Sequence, residues 1–153
     1  MSWWIARVER TMTEVVPARP DVVRDFYVDL DNLQVVHPLI VSVEETSRSE
    51  DADGYLQRYR VVDQMRLGPF RFRITYRAGW RVPVAGDVHT EARQSPGVRL
   101  DGTVSFDAVE GGTRITERIR IEAPRPLTAY TAREAVKAHV AMLSAIRAHF
   151  AAR

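Results

Sequence analysis

Apolar positions recur along this chain with two different periods, and the change from one to the other divides it into elements. At about 100° per residue, Ala132, Val136, His139, Val140, Leu143, Ile146 and Phe150 share one stripe of a helix predicted from Pro126 to Ala152, while Arg133, Glu134, Lys137 and Ser144 fall off it. Pro124 and Pro126 mark its start, and residues 128–153 contain no Pro or Gly to interrupt it. A helix with one apolar stripe lies on an apolar surface. At ~1.5 Å per residue it spans about 40 Å, the width of about seven strands at ~4.8 Å spacing.

Upstream the period is two. Trp3 to Val16 alternates weakly and ends at Pro17, which predicts a first strand. Ala18-Arg19-Pro20-Asp21 then starts a helix, with Pro in the first turn and an acid to meet the helix dipole. Val22, Val23, Phe26, Tyr27 and Leu30 continue it at helical spacing, and Asp31 to Val36 predicts a second short helix that stops at His37-Pro38. Six strands follow: Leu39 to Ser47, Gly54 to Asp63, Phe70 to Val82, Asp87 to Gln94, Val98 to Val109 and Thr113 to Ala123. Their breaks, such as Leu67-Gly68-Pro69 and Ser95-Pro96-Gly97, are long enough for hairpins and too short for parallel crossovers.

Alternation also assigns faces. Phe70, Phe72, Ile74, Tyr76, Ala78, Trp80 and Val82 oppose Arg71, Arg73, Thr75, Arg77 and Arg81, so the aromatic side meets the helix. Val98, Leu100, Gly102, Val104 and Phe106 point inward by the same rule, as do Gln57, Tyr59 and Val61. The last strand sends in Ile115, Glu117, Ile119 and Ile121, and Glu117 is the anomaly among them.

Composition narrows the class. With 153 residues and 45% hydrophobic content the chain is expected to form one domain over residues 1–153. The absence of cysteine excludes disulfides and thiolate chemistry. No apolar run reaches signal-peptide or membrane-span length, which predicts a cytoplasmic protein without stable membrane insertion. Net charge is only +2, although arginine supplies 21 of the 22 basic residues. The strand arginines gather on the outer face, where Glu91, Asp101 and Asp107 offer cross-strand partners, so this face is expected to be an ordinary solvated one. No aromatics are interleaved with them for base stacking, and no nucleic-acid partner is expected.

The order strand, two short helices, six-stranded meander and long C-terminal helix, with Pro20-Asp21-Val22-Val23, Asp31-Asn32-Leu33 and Val36-His37-Pro38 at the short helices, resembles the START-like (SRPBCC) superfamily. That group includes polyketide cyclase/dehydrase and lipid-transport proteins. The resemblance implies an α+β helix-grip fold: a seven-stranded curved antiparallel sheet wrapped around the C-terminal helix, with a ligand cavity between them.

Within such a cavity His139, close to the middle of the helix stripe, is the candidate acid or base, and Glu117 its natural partner, since a buried carboxylate needs a cation or a proton. His37, Tyr59, Phe72, Tyr76, Trp80, Phe106 and Leu143 complete the expected ligand-binding set, and His89 and His149 are predicted off the interior. The scattered histidines include no His-x-x-x-His pair, and there is no phosphate-binding Gly loop or Gly-x-Ser-x-Gly elbow. No metal and no cofactor are therefore expected. Three readings remain: binding of a small hydrophobic or polycyclic molecule, a cofactor-independent cyclase, aromatase or dehydratase, and a protein-interaction or stress-related module.

Overall fold

The computed structural model describes residues 3–153. Strand β1 (Ile5–Val16) is followed by helices α1 (Pro20–Tyr27) and α2 (Leu30–Val36), then by β2 (Ile40–Asp51), β3 (Gly54–Leu67), β4 (Phe70–Pro83), β5 (Val88–Gln94), β6 (Val98–Val109), β7 (Gly112–Pro124) and helix α3 (Arg125–Ala151). The strands form one antiparallel sheet in the order β1-β7-β6-β5-β4-β3-β2. The meander predicted from the short breaks is therefore present, and β1 closes it by pairing with the last strand. This is the α+β helix-grip arrangement, with α3 held in the curve of the sheet.

Local chemistry explains the boundaries. Pro20 opens α1 and Asp21 lies in its first turn, while the Asp29 side chain caps α2 by accepting from Asp31 N–H at 2.9 Å. Pro38 disfavours helical backbone in the residue before it, so α2 ends at His37, whose backbone is extended. The β3–β4 hairpin runs to the pair Leu67 and Phe70, leaving Gly68 and Pro69 as the turn. Gly68 has φ +60, a left-handed conformation that a side chain resists, so the turn forms there and not four residues earlier. β3 runs four residues beyond the predicted strand, which puts Asp63 inside the strand instead of at its end and carries Met65 onto the buried face.

Helix α3 packs against β1, β7 and α2, and it stands off from β3, β4 and β5. That offset corrects the predicted stripe. The buried face of α3 runs through Thr128, Ala132, Ala138, Met142, Leu143, Ile146 and Phe150, whereas Val140 is exposed. Val140 lies about 120° from Ile146 on the helix, which places it on the solvent side. The same rotation brings His149 inward, contrary to expectation: its ring sits 4.4 Å from that of Phe26 and 4.9 Å from that of Phe150, centroid to centroid. His89 faces solvent as predicted.

The outer face also differs from the expected balance. Cross-strand register places Arg60, Arg77, Arg93 and Arg99 directly opposite one another on four successive strands. Like charges in register repel, and among the described residues only the two ends of this row are neutralised, by Glu44 at 3.3 Å from Arg60 and by Asp101 at 2.7 Å from Arg99.

Candidate functional site

Between α3 and strands β3 to β5 lies a cavity of about 640 Å³. Its formation follows from the packing: one flank of α3 presses on β1 and β7, and the other flank presents the small side chains of Ala135 and Ala138, which leave the aromatic face of β4 uncovered. Of the residues expected to bind a ligand, His37, Tyr59, Phe72, Tyr76, Trp80 and His139 line it. Phe106, Glu117 and Leu143 do not. Phe106 lies under α1, edge-on to Tyr27 at 5.5 Å, and Leu143 is in the packed flank of the helix.

Glu117 sits behind the cavity wall, where it organises the site. Strand alternation between Ile115 and Ile119 buries it to 1% exposure, and both of its oxygens are used. Oε1 is 2.9 Å from His139 Nδ1, and Oε2 accepts a hydrogen bond from the Tyr27 hydroxyl at the end of α1. Sheet, short helix and long helix thus meet at one carboxylate. Burial acts to lower the pKa of His139, but the Glu117 charge, its hydrogen bond and the Asp63 charge together outweigh it and leave the pKa above 6.5. Tyr27 is held protonated, its pKa pushed well up by burial and by Glu117.

His37 approaches the same place from the α2 terminus. Its ring lies edge-on to His139, 6.0 Å between centroids, and its Nδ1 accepts from Leu39 N–H at 3.3 Å. That bond requires the neutral ring to carry its proton on Nε2. Burial and the neighbouring His139 charge push its pKa down to about 3, so His37 is a neutral donor, whereas Glu117 favours the charged form of His139. The two imidazoles, predicted from different parts of the chain, have opposite electrostatic fates.

Asp63, the last residue of the predicted strand, is a site residue that the sequence did not single out. Gln57, Tyr59 and Val61 alternate inward, and one more step places Asp63 on the cavity wall at 5% exposure. The Tyr76 hydroxyl, 3.4 Å from its Oδ1, and the His139 charge favour its ionised form, but burial dominates and raises its pKa to about 6. Tyr59 and Tyr76 are likewise pushed up by burial and stay protonated. Trp80 is fixed by a chain in which its indole donates to Gln57 at 2.8 Å and Gln57 donates to Glu45 at 2.8 Å. The wall is mainly apolar and carries a polar cluster of His37, His139, Asp63 and Tyr76, while Glu91, Arg93, Gln94, Arg133 and Glu134 also line it.

No protein-family model matches the chain, and no curated protein sequence matches it. Its likeness to solved structures is extensive. TTHA0849 from Thermus thermophilus superimposes with a TM-score of 0.69 at 20% identity, over 97% of both chains. The Zhui aromatase/cyclase from Streptomyces sp. R1128 gives 0.66 at 19% identity, over 95% of this chain and 93% of that one. StfQ, the di-domain ARO/CYC of the steffimycin biosynthetic pathway, gives 0.77 at 13% identity, and the match covers 96% of this chain and 51% of StfQ. The chain spans about half of that di-domain protein. The fold is the helix-grip fold of START-like proteins.

Proposed function

We propose that this protein binds a small, mainly hydrophobic molecule of polycyclic or lipid-like class in the cavity between α3 and the sheet. The observation that carries the reading is the cavity: about 640 Å³ within a chain of 153 residues, inside the range of about 300–1,000 Å³ typical of small-molecule sites. A polar cluster of two imidazoles, a carboxyl and a phenol on a mainly apolar wall suits a ligand with a carbonyl or phenol end. The likeness to two proteins named as aromatase/cyclases supports an oxygenated aromatic or poly-carbonyl ligand.

Native mass spectrometry of the purified chain tests for a bound molecule, and titration with the dye anilinonaphthalene sulfonate tests the cavity itself. Ala135→Trp places an indole in the space beside the helix. Dye affinity is expected to fall at least about tenfold with the thermal midpoint preserved. Undiminished dye binding in a folded variant would remove the assignment.

A second reading is favoured by the Tyr27, Glu117 and His139 chain. A carboxylate that orients an imidazole at 2.9 Å beside a cavity is the arrangement of a general acid or base, and a cofactor-independent cyclisation or dehydration needs no more than that and substrate positioning. Activity of both His139→Ala and Glu117→Gln on a poly-carbonyl substrate, with an unchanged pH–rate profile, would exclude it.

A further inference from the structure

The cavity lining reaches the surface at one end of the molecule, through Leu67, Phe72, Ser95, Pro96, Pro126 and Leu127. Residues 3–7, 37–43, 64–73, 93–99 and 125–133 build that end. Direct contacts join them. Arg125 N–H donates to Trp4 O at 2.6 Å and its guanidinium to Trp3 O, while the Tyr130 hydroxyl donates to Arg66 O at 3.2 Å.

Two properties of this end stand apart from the rest of the surface. The first is apolar exposure. Trp3 is 81% exposed, Phe70 71% and Leu67 55%, and Trp4, Phe72 and Leu127 are exposed beside them. Every other exposed large apolar side chain among the described residues is a valine. The second is charge. The five segments hold eight of the 22 basic residues and none of the 20 acidic ones, with Glu91 and Glu134, which also line the cavity, at their borders. Asp101, Glu122 and Glu134 each pair with one of these arginines. Arg66, Arg71, Arg73, Arg93 and Arg125 form no ion pair among the described residues.

We propose that this end is a peripheral docking surface for an anionic lipid bilayer and seats the mouth of the cavity against the hydrocarbon. Tryptophan and phenylalanine partition to the membrane interface. Each nearby arginine adds attraction to an anionic leaflet, and the two signals together are what reversible anchoring requires. The apolar side chains come from the segment before β1, the β3–β4 hairpin and the first turn of α3, and not from one continuous element, which fits a deformable bilayer better than a protein partner. No helix among the described residues is long and apolar enough to cross a membrane, so the contact is with the surface. The proposal does not depend on which molecule the cavity holds.

Flotation of the full chain with phosphatidylcholine vesicles, with and without phosphatidylglycerol, tests it. The protein is expected to float with the anionic vesicles only, to be released by salt, and to show a blue shift in the emission of Trp3 and Trp4. Leu67→Asp with Phe70→Asp, and separately Arg71→Glu with Arg73→Glu, should each weaken partition by about tenfold or more. Val84→Asp, on an exposed valine in the β4–β5 turn, should leave partition unchanged, and circular dichroism should show all three variants folded. Failure of the native chain to float, or flotation indifferent to both pairs of substitutions, overturns the proposal. So does salt-sensitive retention on immobilised polyglutamate without vesicle binding, which would assign the surface to an acidic protein instead. Dye binding to the cavity remains a separate readout, so loss of docking and loss of the ligand site are distinguishable.

Discussion

Asp63→Asn removes a carboxyl whose pKa burial has raised from 3.8 to about 6, while it keeps the side chain's shape and its acceptor for Tyr76. The folded pKa lies above the unfolded one, so the sign is fixed. Well below the unfolded value, at about pH 3 and lower, the carboxyl is largely neutral in both states and contributes almost no difference. As the pH rises through the window from 3.8 to about 6 the unfolded chain ionises first, and stability is lost until the folded group ionises too. A shift of about two units corresponds to about 3 kcal/mol. At 5% exposure little solvent screening reduces that figure. The Asn variant should therefore gain about 3 kcal/mol over the native chain at about pH 8, and close to nothing at about pH 3. For a chain of this size that gain is a rise of roughly 6–12 °C in Tm at the higher pH. Urea denaturation followed by circular dichroism at the two pH values measures it, and titration of His37 cancels because it is common to both proteins. An equal difference at both pH values, or a loss of stability at pH 8, would refute the reasoning and show that His139 fully compensates the buried charge.

The other predictions concern the histidines. Glu117→Gln takes away the charge that holds His139 up, so the His139 pKa should fall below 6.5 in an imidazole NMR titration, and an unchanged value would separate the two residues electrostatically. Because the His139 pKa is raised in the folded state, its stabilising contribution is present below pH 6.5 and is lost as the pH rises through the folded value. The variant should consequently lose most stability in acid, by about 3 kcal/mol or more for a broken buried pair. His149 Nε2 is buried without a hydrogen-bond partner among the described residues, against Phe26 and Phe150. His149→Phe should stabilise the protein by about 1 kcal/mol or more in thermal melts, and destabilisation would point to a proton or water held at that nitrogen.

Much of the site was legible as single residues and little of it as a set. Period two placed Glu117 inward, and period 3.6 placed His139 on the helix face, because both signals are local consequences of backbone geometry. Tyr27 stood in the apolar spacing of α1, yet nothing local indicated that its hydroxyl would reach a carboxylate 90 residues away. Asp63 was missed for a different reason. A polar residue at the end of a hydrophobic run reads as the end of a strand, and only the pairing of β3 with β4 carries the strand on to Leu67. The predicted helix stripe was turned toward Val140 because valine is apolar, although packing on β1 and β7 chose the face through Ala138 and Met142.

The sequence by itself determined the order and kind of the elements, the antiparallel meander and the inward faces of the strands, since these follow from side-chain periodicity, turn chemistry and loop length. Tertiary structure alone decided that α3 leans on one edge of the sheet and leaves about 640 Å³ beside the other. It decided too that Tyr27, Glu117, His139 and His37 converge, and that arginines spread over several strands and turns collect around one opening. The physical reason is the same in each case: these are relations between residues far apart in the chain, set by how whole elements pack, and no local pattern encodes that distance.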